Sequence, residues 1–480
     1  MRLFYYIAPF DLRVIALNLA KAMQLIGVIQ TIPALAALLF GEFRFALIFM
    51  VLAAGSWLTG LWLIKIFPNT PELELREALV VTALAYLIFA LIGAMAFLPV
   101  ASFIDSFFEA MSGITTTGLS VLDIATLPTS LLFFRAYSQW LGGIGIVVLS
   151  VVVLIGPGKT AHQLYATEFS KENLLGSVIE TARLVTKIYL ALTATGFIAF
   201  ILAGMKPFDA LLHIMTTLST GGFSHFSKSI GTYQSNIFIR IAVMFFMILG
   251  ATNLTLYYHV RLGGIKRLFR NLEIIALVSL ITIGTLIFWG FAGFNLQSLT
   301  DSLFNAITSL TTTGFNVDDP AGWNAPTKFL SACLMTVGGT TCSTAGGIKI
   351  FRLLIMLKLS IWLFKRMILP EETKLAVKFG DLPVTDDEIK QISGLLMLYF
   401  CLLISSTLIF SGAGFTIIDA FFESASALGT VGLSSGITST GLATGLKGVL
   451  IFDMWAGRLE ILPVLIAMYP GTWFCRRKAT

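Results

Sequence analysis

The sequence predicts an all-α polytopic membrane protein, with two N-terminal transmembrane helices followed by four helix–pore-loop–helix repeats around a pseudo-fourfold pore. Composition is the first observation behind this. Of 480 residues, 56% are hydrophobic and 12% charged, whereas a soluble domain carries about 25% charge. Span length is the second: apolar runs of roughly 20 residues, enough to cross a bilayer core, recur along the chain. The third is an internal repeat. Asp301 to Asn316 (DSLFNAITSLTTTGFN) has counterparts at Asp105 to Ser120 (DSFFEAMSGITTTGLS), Asp209 to Ser224 (DALLHIMTTLSTGGFS) and Asp419 to Ser434 (DAFFESASALGTVGLS). In every copy the Asp precedes one glycine by 13 positions: Asp105/Gly118, Asp209/Gly222, Asp301/Gly314 and Asp419/Gly432. Thr116, Thr220, Thr312 and Thr430 stand two residues before that glycine, and Leu119, Phe223, Phe315 and Leu433 follow it. Self-similarity in register outranks any local signal.

Residues 14–40 and 43–66 are the first two apolar runs, joined at Gly41-Glu42. They form a transmembrane hairpin within residues 1–76. Pore repeat one with its connection covers 77–178, repeat two 179–270, repeat three 271–389 and repeat four 390–480. Each repeat holds a long apolar span, a short apolar helix, the Thr/Gly stretch and a second long span. Two plus eight full spans are therefore expected. The short segment runs only about ten residues, or about 15 Å, which is half of a bilayer core. It enters, stops at mid-depth and returns. Its Asp suits a helix N-cap, where a carboxylate accepts from free backbone N–H groups.

Lys and Arg concentrate in the connections between repeats. They are Lys159, Lys171, Arg183 and Lys187, then Arg261, Lys266, Arg267 and Arg270, then Lys358, Lys365, Arg366, Lys374, Lys378 and Lys390. The opposite side has only scattered charges: Arg44, Arg135, Lys206, Lys228, Arg240, Lys328 and Lys447. By the positive-inside rule the connections and both termini are cytoplasmic, and the re-entrant stretches open outside.

Several other chemistries find no support. The net charge of +6 is loop charge, with no basic and aromatic interleaving for nucleic acid. Cys333, Cys342, Cys401 and Cys475 have neither disulfide nor zinc spacing and are expected as buried, inert thiols. Met1 to Asp11 carries no small-residue cleavage site. Gly156-Pro157-Gly158-Lys159-Thr160 resembles the end of a phosphate loop, but Val153 stands where that motif needs Gly, so it reads as a break after a span. His162, His213, His225 and His259 lack metal-ligand spacing, and His213 reads as a packed or vestibule residue. Glu109 and Glu423 occupy corresponding places on the first and fourth short helices; capping or packing suits them first, and bracing the turn from behind or raising the local cation density are the alternatives.

Non-helical backbone at membrane depth is tolerated only where protein buries it or where it lines a water-filled path. Four such turns converging on one axis would ring it with carbonyls that replace a cation's hydration shell. Gly permits the required dihedrals. The short helices would aim their negative C-terminal ends at the same axis. The expected cation ligands are the backbone carbonyls of Thr116, Thr117, Gly118, Thr220, Gly221, Gly222, Thr312, Thr313, Gly314, Thr430, Val431 and Gly432.

With these four registered turns the chain resembles the potassium-uptake subunits of the TrkH/KtrB/HKT superfamily. Its two extra N-terminal spans place it nearest the TrkH branch, and the resemblance covers essentially the whole chain. It implies the potassium ion as the bound and transported species, with no organic cofactor in this chain. In the family a glycine in each filter goes with potassium selectivity, and Ser in the first filter goes with sodium transport in some plant members. All four positions are Gly here. The copies diverge at Thr220-Gly221-Gly222 and Thr430-Val431-Gly432, so the filter should be less uniform than that of a homotetrameric channel.

Two features lie below the turns. The second span of repeat three, helical from about Thr327, is interrupted by Val337 to Lys349, VGGTTCSTAGGIK, with Gly338, Gly339, Gly346 and Gly347. Gly338 falls about 16 Å into the membrane. A passive kink and a flexible gate both fit the pattern, and the resemblance implies an intramembrane gate loop at this position. Arg458 lies about as deep, where a charge is costly and marks function; Glu460 and Asp453 are its candidate partners. The resemblance implies that Arg458 lines the pore. Lys349 is either a second positive element or a cytoplasmic anchor. The resemblance further implies a multi-pass protein of the bacterial inner membrane. It also implies a homodimer with one pore per subunit in the lipid bilayer and a cytoplasmic TrkA-like nucleotide-binding regulatory ring. Symport and channel-like flux remain open. A sodium or mixed-cation transporter of the same fold is the nearest rival; an intramembrane enzyme would need an acid/base or metal cluster that the sequence lacks.

Overall fold

The computed structural model describes residues 10–68, 70, 71, 73–155, 178–264, 266–370, 377–379 and 382–474. Helices α1 (Leu12–Leu39) and α2 (Phe43–Ile66) form the N-terminal hairpin. Repeat one is α3 (Leu75–Phe97), α4 (Phe103–Ile114) and α5 (Thr129–Ile155). Repeat two is α6 (Val178–Leu202), α7 (Pro207–Leu218) and α8 (Ile237–Gly250), continued by α9 (Leu254–Gly263) and α10 (Lys266–Arg270). Repeat three is α11 (Leu272–Phe291), α12 (Leu296–Leu310), α13 (Ala325–Val337) and α14 (Ile350–Ile368). A small antiparallel pair, β1 (Lys378–Phe379) with β2 (Leu382–Pro383), precedes repeat four. That repeat is α15 (Asp386–Gly412), α16 (Ile417–Leu428), α17 (Thr444–Arg458) and α18 (Leu462–Met468), followed by α19 (Pro470–Phe474). The GPGKT stretch and Cys475 lie outside the described residues. Cys342 is buried, but Cys333 and Cys401 are exposed on their spans, against the expectation of buried thiols.

Among the described residues, α1, α2, α3, α6, α11 and α15 are long and apolar enough to cross a membrane. The expected short helices are α4, α7, α12 and α16, of 12, 12, 15 and 12 residues. The second spans differ from expectation. Only α5, with 27 residues, is continuous. Its counterparts α8, α13 and α17 stop after 14, 13 and 15 residues. The sequence showed one of these three breaks. At the end of α8, the Gly250 and Ala251 carbonyls accept from the Thr344 and Thr340 N–H groups, so the repeat-three loop satisfies this helix end. After α17, Glu460 and Ile461 adopt φ of 59° and 67°, which no helix tolerates.

The repeats close into a ring. Helix α5 packs on α7, α8 on α12, α13 on α16, and α17 on α4. The second span of each repeat thus braces the short helix of the next, and the fourth returns to the first. The Trp455 indole donates to the Ala83 carbonyl at 3.0 Å at that closure. The Glu42 carboxylate, in the hairpin turn, accepts from the Thr129 and Ser130 N–H groups at 2.9 and 3.0 Å and so caps α5.

The four Asp residues are not N-caps. Ser102, Lys206 and Thr416 hold the N-cap positions of α4, α7 and α16, with Asp105, Asp209 and Asp419 inside the first turn. Asp301 lies well within α12. Three of their carboxylates close junctions between repeats instead. Arg240 on α8 pairs with Asp301. Lys328 on α13 reaches Asp419 at 2.7 Å, and Lys447 on α17 reaches Asp105 at 2.5 Å. These cations each stand ten residues before Gly250, Gly338 and Gly457. Repeat one has Leu132 at the matching place, ten before Gly142. Asp209 bonds within its own repeat instead, to His225 Nε2 at 2.9 Å and the Tyr233 hydroxyl at 3.0 Å.

Removing one partner of a half-buried ion pair leaves the other desolvated. Lys328→Met is expected to cost about 1–3 kcal/mol of stability, read as a lower thermal midpoint in detergent. Adding Asp419→Asn should return part of that loss, by the logic of a double-mutant cycle. The Asp209 cluster within repeat two should be acid-sensitive. His225 lies in the loop after α7, and burial holds its imidazole below the ordinary histidine value, opposed by Asp209. An unfolded chain then binds the proton first as pH falls, so this contribution is complete above about pH 6.5 and shrinks below it. The thermal midpoint should therefore drop on acidification towards about pH 5.5, and less in His225→Gln.

Candidate functional site

Each short helix ends the same way. In α4 the Thr117 N–H donates to the Ser112 carbonyl at 2.9 Å; Gly221 to Thr216, Thr313 to Thr308 and Val431 to Ser426 repeat the bond at 2.8, 3.0 and 2.8 Å. This is the six-to-one closure of a helix whose next residue is left-handed. That residue is Thr116, Thr220, Thr312 or Thr430, with φ of 53°, 53°, 54° and 51°. A β-branched residue there is a backbone outlier, and four at one position mark a built feature. The turn then passes through Gly118, Gly222, Gly314 or Gly432, with φ of 95°, 73°, 83° and 99°.

These glycines interlock in a cycle. A Cβ on Gly118 would stand inside 3.0 Å of the Gly221 carbonyl oxygen. One on Gly222 would strike the Thr313 oxygen, on Gly314 the Val431 oxygen, and on Gly432 the Thr117 oxygen. The four turns therefore meet around one axis, each glycine packed on the carbonyl of the residue before its neighbour's glycine. The twelve residues of the turns converge, and backbone oxygens dominate the chemistry there. Such a ring suits a desolvated monovalent cation.

Struts hold the ring from behind. Ser120 donates to Glu109 at 3.1 and 3.0 Å, and Ser434 to Glu423 at 2.9 Å. His213 Nε2 lies 3.2 Å from Ser224 Oγ, and Asn305 holds the fourth equivalent position. Glu109 is paired with Arg135 at 2.5 Å. Glu423, fully buried, takes only neutral donors, among them the Ser435 and Thr438 N–H groups at 2.8 and 3.1 Å. The bonds of both glutamates run to the serine that follows each turn, as bracing requires and helix capping does not. Arg135 also donates to the Ser224 carbonyl at 3.2 Å and lies 3.9 Å over the Phe223 ring. The sequence showed Arg135 only as a scattered charge and gave no role to Gln139, whose amide reaches the second turn.

Beneath the ring sits the break in repeat three. Gly338, with φ 76°, ends α13, and all but one of residues 338–350 are buried. The Gly346 N–H donates to the Thr312 hydroxyl at 2.7 Å. A Cβ on Gly346 would strike the Gly429 carbonyl and the Thr430 hydroxyl, and one on Gly339 the Ala251 carbonyl. Gly347 backs onto Gly338. Thr344 Oγ1 donates to the Leu218 and Gly250 carbonyls, both at 2.9 Å. The segment thus fills the space directly under three of the four turns. Lys349 is buried, with φ 79°, and its ammonium donates to the Ala345 carbonyl.

Arg458 has neither expected partner. Glu460 pairs with Arg352, and Asp453 accepts from Ser406 at 3.0 Å. The Arg458 guanidinium instead donates to the Thr344 carbonyl at 2.7 Å and the Gly142 carbonyl at 2.8 Å. It ties the loop to α5 while its charge stays uncompensated by any carboxylate it bonds.

A side chain on a ring glycine should distort the ring. Gly314→Ala is expected to lose at least about 1–2 kcal/mol of thermal stability from left-handed backbone strain alone. Gly322→Ala, with open space around it, should leave the melting midpoint unchanged.

Comparison with known proteins agrees with this architecture. The family model for TrkH, described as a cation transport protein, matches residues 46–281 and 295–471. The Trk system potassium uptake protein TrkH of Escherichia coli K12 is 31% identical over 468 residues, covering 92% of this chain and 95% of that protein. An uncharacterised cation transporter of Methanocaldococcus jannaschii is also 31% identical, over 459 residues and 93% of each chain. The crystal structure of the potassium transporter TrkH from Vibrio parahaemolyticus superposes with a TM-score of 0.85 at 28% identity, covering 97% of this chain and all of that one. A ring of four registered turns, the matched length and the shared fold agree: the chain belongs to the TrkH family of cation transport proteins.

Proposed function

We propose that this protein carries potassium ions into the cell through the four-turn ring, which acts as the selectivity filter. The observation that carries this is the closed cycle of glycine-on-carbonyl contacts, with the glycine-rich break seated directly beneath it. Backbone oxygens from Thr116–Gly118, Thr220–Gly222, Thr312–Gly314 and Thr430–Gly432 replace the hydration shell. Potassium, less tightly hydrated than sodium, gives up that shell more readily. Potassium uptake by the Escherichia coli relative and the glycine in all four turns support potassium over sodium. The membrane potential supplies about 2.3 kcal/mol per charge per 100 mV.

The segment 337–349 is the gate, and its seat beneath the ring is the closed position. Gly338, Gly339, Gly346 and Gly347 give it backbone freedom close to its neighbours, and Arg458 is its clasp. Lys349 holds the lower end of the loop on itself. The lysine- and arginine-rich connections orient the protein with both termini in the cytoplasm of a bacterial cell and the short helices opening outside the inner membrane. A homodimer with a TrkA-like nucleotide-binding ring below it supplies the regulation, acting through α14, which leads directly out of the gate.

Arg458→Ala should leave the fold intact and weaken the closed loop by two charge-assisted bonds. Basal flux of radiolabelled rubidium into liposomes is then expected to rise by about tenfold, given roughly 1.5–3 kcal/mol per bond to a charged group and partial compensation by water. Equal flux at equal reconstitution would remove Arg458 from the gate. Competition by sodium in the same assay separates potassium selectivity from a mixed-cation filter.

A further inference from the structure

The second turn is held differently from the other three. Gly142, Gly250, Gly338 and Gly457 hold equivalent places in the second spans, and three residues before them stand Gln139, Met247, Met335 and Met454. Each of these spans braces the turn of the next repeat. The facing ring positions are Gly221, Thr313, Val431 and Thr117. One repeat junction therefore pairs Gln with Gly where the others pair Met with Thr or Val.

The exchange is physical as well as positional. Gln139 is fully buried. Its Nε2 donates to the Gly221 carbonyl at 2.5 Å, and its Oε1 accepts from the Phe223 N–H at 3.0 Å. Turning the amide over would set its NH2 group against an N–H donor, so the partners fix its orientation. A Cβ on residue 221 would stand inside 3.0 Å of Gln139 Cδ, Oε1 and Cγ. The Gln139 side chain occupies the space that Thr or Val fills in the other turns. The Gly221 oxygen is also the ring member packed on Gly118. Among the described residues no hydrogen-bond donor reaches the equivalent oxygens of Thr117, Thr313 and Val431.

We infer that Gln139 is a specificity-determining positioning residue: it fixes the second turn and shares one of four ring carbonyls, leaving a cation three free oxygens at that level. A shared oxygen offers a weaker field and is held at a distance set by the amide rather than by the ion. The ring then discriminates among monovalent cations less sharply than four equal carbonyls would. This rests on the reading of the ring as the filter.

The test is the ratio of rubidium to sodium uptake in liposomes, from mutual competition. Gln139→Met with Gly221→Thr recreates the pairing of the other junctions and should raise the ratio by about two- to tenfold, the span of one hydrogen bond. Gln139→Leu removes the donor without adding bulk to the turn and should raise it in the same direction by less, even where the double variant does not assemble. A lowered uptake rate with an unchanged ratio in Gln139→Leu would show a structural prop only and overturn the inference. Gly314→Ser separates the two levels. If it changes neither uptake nor ratio, the filter reading itself falls; if it does and Gln139→Leu leaves the ratio alone, only the role of Gln139 falls.

Discussion

No turn of the ring is shaped by its own repeat alone. The oxygen of Thr117 has its place because Gly432 lacks a side chain, Val431 because Gly314 does, and so on around the axis. The contact is steric, short and cyclic, so it cannot be relaxed at one position without disturbing the next. Much of the architecture serves to keep it closed: cation–carboxylate clasps at three junctions, struts behind the turns, and second spans that brace the following repeat. Because interiors are close-packed, displacement at one member passes to its neighbours rather than dissipating.

The second spans crowd the short helices as well. Gly142, Gly250 and Gly457 lie against the last carbonyls of their own short helices, at Ile114, Leu218 and Leu428. Helix α5 continues past that approach, whereas α8, α13 and α17 stop and the chain turns aside in three different ways. Repeat two restarts at once as α9, repeat three makes a long loop, and repeat four makes a tight left-handed turn. The loop of repeat three uses the carbonyls freed at the end of α8, and Arg458 at the end of α17 bonds its Thr344 carbonyl. Three helix ends are thus mutually satisfied through one segment. A buried guanidinium bonded to no carboxylate costs desolvation energy that an apolar residue would avoid. Retaining it here keeps a positive charge in the layer beneath the ring.

Repetition made the four turns legible in the sequence, because an Asp, a Thr and a Gly at constant spacing survive changes in every apolar residue between them. The glycine-rich break and the deep arginine were visible for the opposite reason, as polar interruptions of apolar spans. What connects them was not visible. Lys447 and Asp105 are 342 residues apart, and Arg458 lies 316 from Gly142. Side-chain-to-carbonyl bonds leave no mark in residue type, since every residue offers a carbonyl. Asp at the head of each repeat pointed to helix capping by local propensity, and tertiary pairing overrode it. The breaks in repeats two and four carry sparser signals, Gly250 with Asn253 and Gly457 with Pro463, set among apolar residues rather than gathered into a polar run. Gln139 was a solitary amide in an apolar span, detectable only by aligning the second spans on their glycines.

The direction of the bracing also sets an order of assembly. Repeat two's short helix can settle on α5 as soon as it is made, and repeats three and four can do likewise on α8 and α13. Repeat one cannot, since its brace is α17. During synthesis Asp105 must wait until Lys447 has been inserted. Until then the first turn has no neighbour on one side, and the nascent chain carries an unpaired carboxylate at the membrane surface. The last helices to leave the ribosome complete the part of the ring that was made first, so a chain truncated within repeat four would hold three whole repeats and no closed ring.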